Sequence, residues 1–285
     1  MNCRRPRQRL TALDYANLIV TNSLPRRAVS RLMGTFSRIR QPLLRDLSLA
    51  LWRRFGDLDL ADAKKPRFDS VHDCFTRELR DGARPIDADP SVLASPCDAI
   101  VGACGMVLGN DLVQAKRLVY ALDELLCDPT LSLRFAGGCY ATLRLTAGMY
   151  HHFHAPDDCT VERVTCVPGD AFNVNPPAVA RIPRLYCRNE RAVVVCRLAD
   201  GAPLALVPVA AILVAGIRFR FVEPPPRGPR RLDCAAALAR GERMGWFEHG
   251  STILMFAPPG YQLCPGVEPG RRIRVGERLM QRQPG

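Results

Sequence analysis

Three short stretches of the 285-residue chain carry side chains suited to chemistry. In Tyr150-His151-His152-Phe153-His154, three of the chain's five histidines stand within four residues. Imidazole is the usual general base near neutral pH, although such a cluster is also compatible with an incidental grouping or a partly exposed metal patch. His151 and His154 share a face if the stretch turns as a helix and point oppositely if it is extended. In Ser95-Pro96-Cys97-Asp98-Ala99 a carboxylate sits at a turn before an apolar run, where Asp is also an ordinary turn residue. His249-Gly250-Ser251-Thr252 leads into the apolar run Ile253 to Phe256, and as a bare tripeptide Gly-Ser-Thr is a common turn. The nucleophile elbow, the phosphate-binding loop, the H-E-x-x-H zinc motif and the G-x-G-x-x-G fingerprint are all absent from the sequence.

These stretches need elements to hold them. From Val29 the apolar residues Leu32, Met33, Phe36, Ile39, Leu43, Leu44, Leu47, Leu51 and Phe55 follow a three-and-four spacing, which predicts a helical stripe broken near Pro42. Arg31, Arg38, Arg45, Arg53 and Arg54 fall mostly off the stripe. Such a helix either lies in a membrane interface or packs on its own domain with a solvated Arg face. Ala12 to Val20 is a second, shorter apolar segment. From about Ser91 short runs predict strands: Ala99–Val101, Ala141–Leu145, Ala192–Cys196, Leu204–Val209 and Ile212–Ile217. Val119 to Leu126 reads as a short helix, Arg220 to Arg231 as an exposed loop, and the segment after Pro258 as a Gly/Pro-rich basic tail. The fold class is therefore α+β: a mainly antiparallel β-sheet body with N-terminal amphipathic helices. Residues 1–60 form a helical region and 61–285 the body.

Composition narrows the partners. The net charge is +12, and Lys occurs only at 64, 65 and 116, so the basic charge is almost all Arg. That balance suits an anionic partner. Arg is spread along the chain and aromatics are only 7%, which argues against nucleic acid. The twelve cysteines include no C-x-x-C and no two closer than seven residues, so neither zinc nor another metal is expected. They read as small hydrophobes in a reduced, cytosolic chain. Met1 to Leu10 is Arg-rich and lacks the apolar run of a secretory signal. The longest apolar stretch, Pro203 to Ile217, is short for a membrane span.

Taken together and in order, the motifs resemble the phosphatidylserine decarboxylase family of pyruvoyl-dependent, bacterial-type enzymes. Phe75 to Ile86 resembles the family's F-x-R-x-L-x-x-G-x-R-P-I, and Ser95 to Ala99 its S-P-x-D-G. Gln114-Ala115-Lys116 with Tyr120 to Leu126 is similar to Q-A-K-G-x-x-Y-x-L-x-x-L-L, and Tyr150 to Pro156 to Y-H-R-x-H-x-P. Pro168-Gly169-Asp170, Arg188 to Arg191, and Gly241 to Phe247 follow in family order before the processing motif at Gly250-Ser251. Three positions depart from the pattern: His249 for the usual Leu, and Ala99 and Arg117 for usual glycines. A left-handed backbone at Ala99 would cost about 1 kcal/mol or more.

The resemblance implies a zymogen that cleaves itself. Ser251 Oγ attacks the Gly250 carbonyl, the resulting ester undergoes β-elimination, and the dehydroalanine left behind hydrolyses to a pyruvoyl group. The products are a β chain of 250 residues and an α chain of 35. His154 is the expected base for Ser251, oriented by Asp98 in a triad-like arrangement. The pyruvoyl cofactor then forms a Schiff base with phosphatidylserine, releasing CO2 to give phosphatidylethanolamine, and His151 is expected to protonate the resulting carbon or to bind the carboxylate. The implied partners are phosphatidylserine, an anionic membrane surface and a second copy in a homodimer. The implied location is the cytoplasmic side of the cell membrane, held peripherally by the N-terminal region. Two alternatives stay open: a pyruvoyl decarboxylase of another serine-containing substrate, and a non-catalytic lipid-surface protein that retains the fold.

Overall fold

Residues Ile253 to Phe256 form the middle of the molecule because nothing in the run can face water. In a computed structural model, which describes residues 25–115, 118–212, 216–223, 230–248 and 252–283 apart from the side chains of residues 27, 55, 114 and 115, the strand Thr252–Ala257 is buried along its whole length. It is the fifth strand of an eight-stranded sheet. The order runs Arg230–Leu238, Cys159–Val167, Arg191–Leu198, Pro203–Val209, Thr252–Ala257, Cys139–Arg144, Ala99–Met106 and Arg272–Ile273. A continuous apolar run is what a strand covered on both faces requires. Every strand pairing among the described residues is antiparallel, with an isolated parallel bridge between Asp170 and Asn189. The body is thus α+β with the sheet dominant.

Two smaller sheets flank it. Val92–Ala94, Arg278–Arg282 and Tyr261–Leu263 form one; Ile217–Phe219, Arg243–Phe247 and His152–His154 form the other. Asp111–Ala115 and Leu118–Ala121 make a separate hairpin. The structure corrects four sequence expectations. Val119 to Leu126 is a strand end followed by the helix Leu122–Leu126, because the β-branched Val119 pairs with Val113 across the hairpin. Ile212 lies in a turn and the next strand begins at Ile217, residues 213–215 being outside the described set. Arg230 and Arg231 open the edge strand Arg230–Leu238, whose Ala-rich, half-exposed sequence has little β propensity of its own and is held by pairing with Cys159–Val167. The segment after Pro258 contributes three strands rather than a loose tail.

The N-terminal stripe is two helices, α1 (Arg26–Phe36) and α2 (Pro42–Phe55). Pro42 sits at the first position of α2, where its missing N–H costs nothing, and the Gln41 side chain accepts a hydrogen bond from the Leu44 N–H at 2.6 Å. Arg53 and Arg54 lie in the last turn, where the helix dipole favours cations. The stripe does not pack on the body as one face. Met33, Phe36, Ser48 and Trp52 turn inward, while Leu32 (71% exposed), Leu43 (79%), Leu47 (60%) and Leu51 (51%) face outward. The inward side is fixed by ion pairs from Arg26 to Asp170 at 2.5 Å and Arg38 to Glu248 at 3.0 Å, and by Trp52 stacked on Phe75. No helix among the described residues is long and apolar enough to cross a membrane. Ala12 to Val20 lies outside the described residues, as does Met1 to Leu10. The eleven described cysteines are all free thiols, six of them buried, and burial pushes Cys139 up to about 12.

Candidate active site

The described residues singled out from the sequence lie on two neighbouring sheets, Asp98 just ahead of the strand Ala99–Met106 and the histidines on the strand paired with Arg243–Phe247. Thr252, the first residue of its strand, pairs with Arg144 on one side and Val209 on the other, and Arg144 in turn pairs with Ile100. Asp98 lies two residues ahead of Ile100. His249, Gly250 and Ser251 themselves lie outside the described residues. The chain approaches them through Arg243–Phe247, which pairs with the histidine strand in the register Arg243 to His154 and Trp246 to His152. Gly245 makes this pairing feasible, since a Cβ there would lie 2.1 Å from the Arg218 carbonyl oxygen and 2.6 Å from the Phe153 ring.

The histidine stretch is extended, so the alternation of a strand applies, and three neighbouring imidazoles have three environments. His151 is fully buried, with its ring stacked on Phe75 at 3.7 Å between centroids and its carbonyl accepting the Phe247 N–H at 3.0 Å. His152 is buried with its ring stacked against Tyr150 on one side and Trp246 on the other, and its Nε2 lies 3.0 Å from the Thr76 carbonyl oxygen. Burial lowers His152 to about 4. His154 is half-buried, and burial lowers its pKa as well, so it is neutral at pH 7. Its Nδ1 lies 2.8 Å from the Gly241 carbonyl oxygen and its Nε2 3.1 Å from the Tyr150 hydroxyl. A carbonyl only accepts, so Nδ1 carries the proton and donates it there. Nε2 is left with the lone pair and accepts the Tyr150 O–H. This is the tautomer a base acting through Nε2 needs. Gly241 holds its carbonyl there with φ +78°, and a Cβ would strike Ile86 at 2.7 Å.

Asp98 is not hydrogen-bonded to His154, contrary to the expectation that it orients the imidazole. Its carboxylate is occupied by Arg84, with Nε 2.9 Å from Oδ1 and Nη2 2.6 Å from Oδ2, and by the Val275 N–H at 2.9 Å. Arg84 also reaches Asp62 at 2.8 Å. Orientation passes instead to Gly241 and Tyr150, while the negative charge of Asp98 still acts on His154 from nearby. The two segments are tied by their backbones, the His154 N–H donating to the Pro96 carbonyl at 2.8 Å. Arg84, Tyr150 and Gly241 all lie inside the family-like motifs; their roles were hidden because each acts through a residue distant in sequence. Ala99 sits in an extended strand, and the described non-glycine residues with positive φ are Asp57, Cys127 and Arg184, so replacing glycine at 99 strains nothing. Arg117 is outside the described residues.

Beside this end of the sheet, under α1 and α2, lies a cavity of about 450 Å³. Met33, Phe36, Trp52 and Phe75 form its apolar wall, and Arg144, Thr146, Asn173 and Asn175 its polar end. His151 stands behind Phe75. Glu248, just ahead of the processing motif, is buried and held by Arg38 and Arg218.

Comparison with known proteins agrees with the motif order. A family model described as Phosphatidylserine decarboxylase matches residues 71–281. A protein of Aliivibrio fischeri (strain MJ11) named Phosphatidylserine decarboxylase proenzyme is 36% identical over 267 residues, covering 88% of this chain and 93% of the relative. Proteins of the same name from Anaeromyxobacter sp. (strain K) and Sodalis glossinidius are 39% and 34% identical, covering 90% and 94% of this chain and 94% and 96% of their own lengths. With the family model matching residues 71–281 and relatives above 30% identity across most of its length, the chain belongs to the phosphatidylserine decarboxylase family.

Proposed function

We propose that this chain is a self-processing decarboxylase of phosphatidylserine, cleaved between Gly250 and Ser251. The observation that carries the reading is the position of that dipeptide. It directly precedes the central, fully buried strand Thr252–Ala257 and follows the strand paired with His152–His154. The neutral His154, its ring held by Nδ1–H on the Gly241 carbonyl, takes the Ser251 hydroxyl proton on Nε2 as the Tyr150 O–H turns away from that lone pair. Asp98, fixed by Arg84, supplies negative charge that favours the imidazolium so formed. Ser251 Oγ then bonds to the Gly250 carbonyl carbon as the peptide C–N bond breaks. Elimination releases the Gly250 carboxylate, and hydrolysis of the residual dehydroalanine releases ammonia.

The surroundings fit the pyruvoyl group that results. The Thr252 hydroxyl is buried with no hydrogen-bond partner among the described residues, and the adjoining cavity is mostly apolar. The group supplies a carbonyl electrophile and an electron sink for the loss of CO2. Around it, His151 holds the proton that replaces the carboxylate, and α1 and α2 keep water from the apolar wall.

The outward leucines of α1 and α2, with neighbouring arginines, support docking on an anionic bilayer. The enzyme then works as a peripheral protein on the cytoplasmic face of the cell membrane. Intact-mass measurement tests the processing: chains of 250 and 35 residues are expected, the shorter gaining two hydrogens on borohydride treatment. An uncleaved chain with no reducible carbonyl refutes the reading and favours a lipid-surface relic. Assays of phosphatidylserine beside soluble serine compounds separate the lipid enzyme from a decarboxylase of another substrate.

A further inference from the structure

Several arginines among the described residues spend most of their guanidinium donors on protein acceptors. Arg77 donates to the carbonyls of Cys74, Asp59 and Gly148. Arg191 donates to those of Leu125, Cys187, Asn189 and Glu124, and Arg84 grips Asp98 and Asp62. Arg144 lines the cavity and has no hydrogen-bond or ion-pair partner among the described residues. Burial depresses its pKa, yet a guanidinium stays protonated, so a partly desolvated charge faces the cavity. The Thr146 hydroxyl in the same cavity wall is also buried without a partner among the described residues. A fixed cation and a free hydroxyl at the polar end of an apolar cavity are half of an anion site.

We propose that Arg144 is the receptor for the phosphodiester of the lipid head group, with Thr146 as a second donor. The inference rests on the proposed substrate and names the part of it that this residue reads. Arg144 is the cross-strand neighbour of Thr252, so the charge stands beside the reacting end of the central strand. Chemistry separates the substrate's two anions. A cation on the carboxylate would stabilise the ground state and resist its departure as CO2, whereas the phosphodiester keeps its charge throughout the reaction. A cation there strengthens binding without opposing the chemical step. The planar guanidinium suits two phosphate oxygens at once, and the low polarity of the cavity strengthens the contact.

The test compares the processed wild type with Arg144→Gln and Arg144→Lys, after intact mass has shown cleavage of each. Trp52 lines the cavity and reports binding by its fluorescence. Glycerophosphoethanolamine carries the phosphodiester without a carboxylate, and O-methylserine the carboxylate without a phosphate. Arg144→Gln should weaken glycerophosphoethanolamine binding about tenfold or more and change O-methylserine binding less than about twofold. Arg144→Lys should recover part of the loss. On phosphatidylserine in mixed micelles, KM should rise by a similar factor while kcat changes far less. Equal loss of both ligands, a fall in kcat at constant KM, or failure of both variants to cleave overturns the proposal. Inorganic phosphate binding as tightly as glycerophosphoethanolamine would make this a free-phosphate site and overturn the lipid assignment. Arg144-dependent binding of the phosphodiester in a wild type that does not decarboxylate phosphatidylserine supports this site while refuting the proposed reaction.

Discussion

The helices α1 and α2 and the strand Thr252–Ala257 draw on the same aliphatic residues and use them in opposite ways. In the strand every side chain is covered. In the helices Leu32, Leu43, Leu47 and Leu51 stay exposed, while Met33, Phe36 and Trp52 close the cavity. The difference is one of layers. A central strand has neighbours on both faces, whereas a helix at the edge of the body has one packed side and one side free. On the proposed function the body carries the chemistry and the helices the adhesion, and the two meet where Arg38 pairs with Glu248, three residues ahead of Ser251 in sequence.

The comparison breaks most sharply at Ser251. Ser251→Ala should abolish cleavage and leave vesicle binding intact, read by intact mass and by flotation with anionic vesicles. Loss of vesicle binding in that variant would show that adhesion depends on processing. His154→Ala should slow cleavage by about 10²-fold or more, the usual worth of a general base, whereas Asp98→Asn, which leaves the Gly241 contact in place, should slow it less. Equal effects would return Asp98 to direct orientation of the ring.

Stability should separate the regions next. With the chain kept whole by Ser251→Ala, Phe256→Ala in the central strand should cost about 3–5 kcal/mol in denaturant unfolding. The pair Leu43→Ser and Leu47→Ser should cost under about 0.5 kcal/mol, as exposed sites do, while weakening anionic-vesicle binding about tenfold. A large stability loss from the leucine pair would mean that this face packs on protein.

Within the body alone, a pH slope from His152 is expected. Its folded pKa, lowered by burial to about 4, lies below the unfolded value of about 6.5. Above pH 6.5 both states are neutral and the group adds no slope. As pH falls from about 6.5 to about 4 the unfolded chain takes the proton first, so stability drops by up to roughly 3 kcal/mol. His152→Gln should flatten that part of the profile, and an unchanged slope would place the dependence on other groups.

Much of this was legible in the residues themselves. The apolar run Ile253 to Phe256 marked an interior segment, the break at Pro42 followed from a missing N–H, and the ordered motifs from Phe75 to Ser251 led to the family. These depend on local spacing and covalent chemistry, which the chain carries in one dimension. What required the tertiary structure was partnership. The strand Arg230–Leu238 has no strong propensity and exists because Cys159–Val167 lies beside it. Asp98 meets Arg84 rather than His154, His154 takes its orientation from a glycine carbonyl 87 residues away, and Arg144 is distinctive because its guanidinium has no hydrogen-bond partner among the described residues. Which charges meet and which remain unmet is decided by long-range packing, because hydrogen bonds and ion pairs depend on distances in space that sequence order does not set.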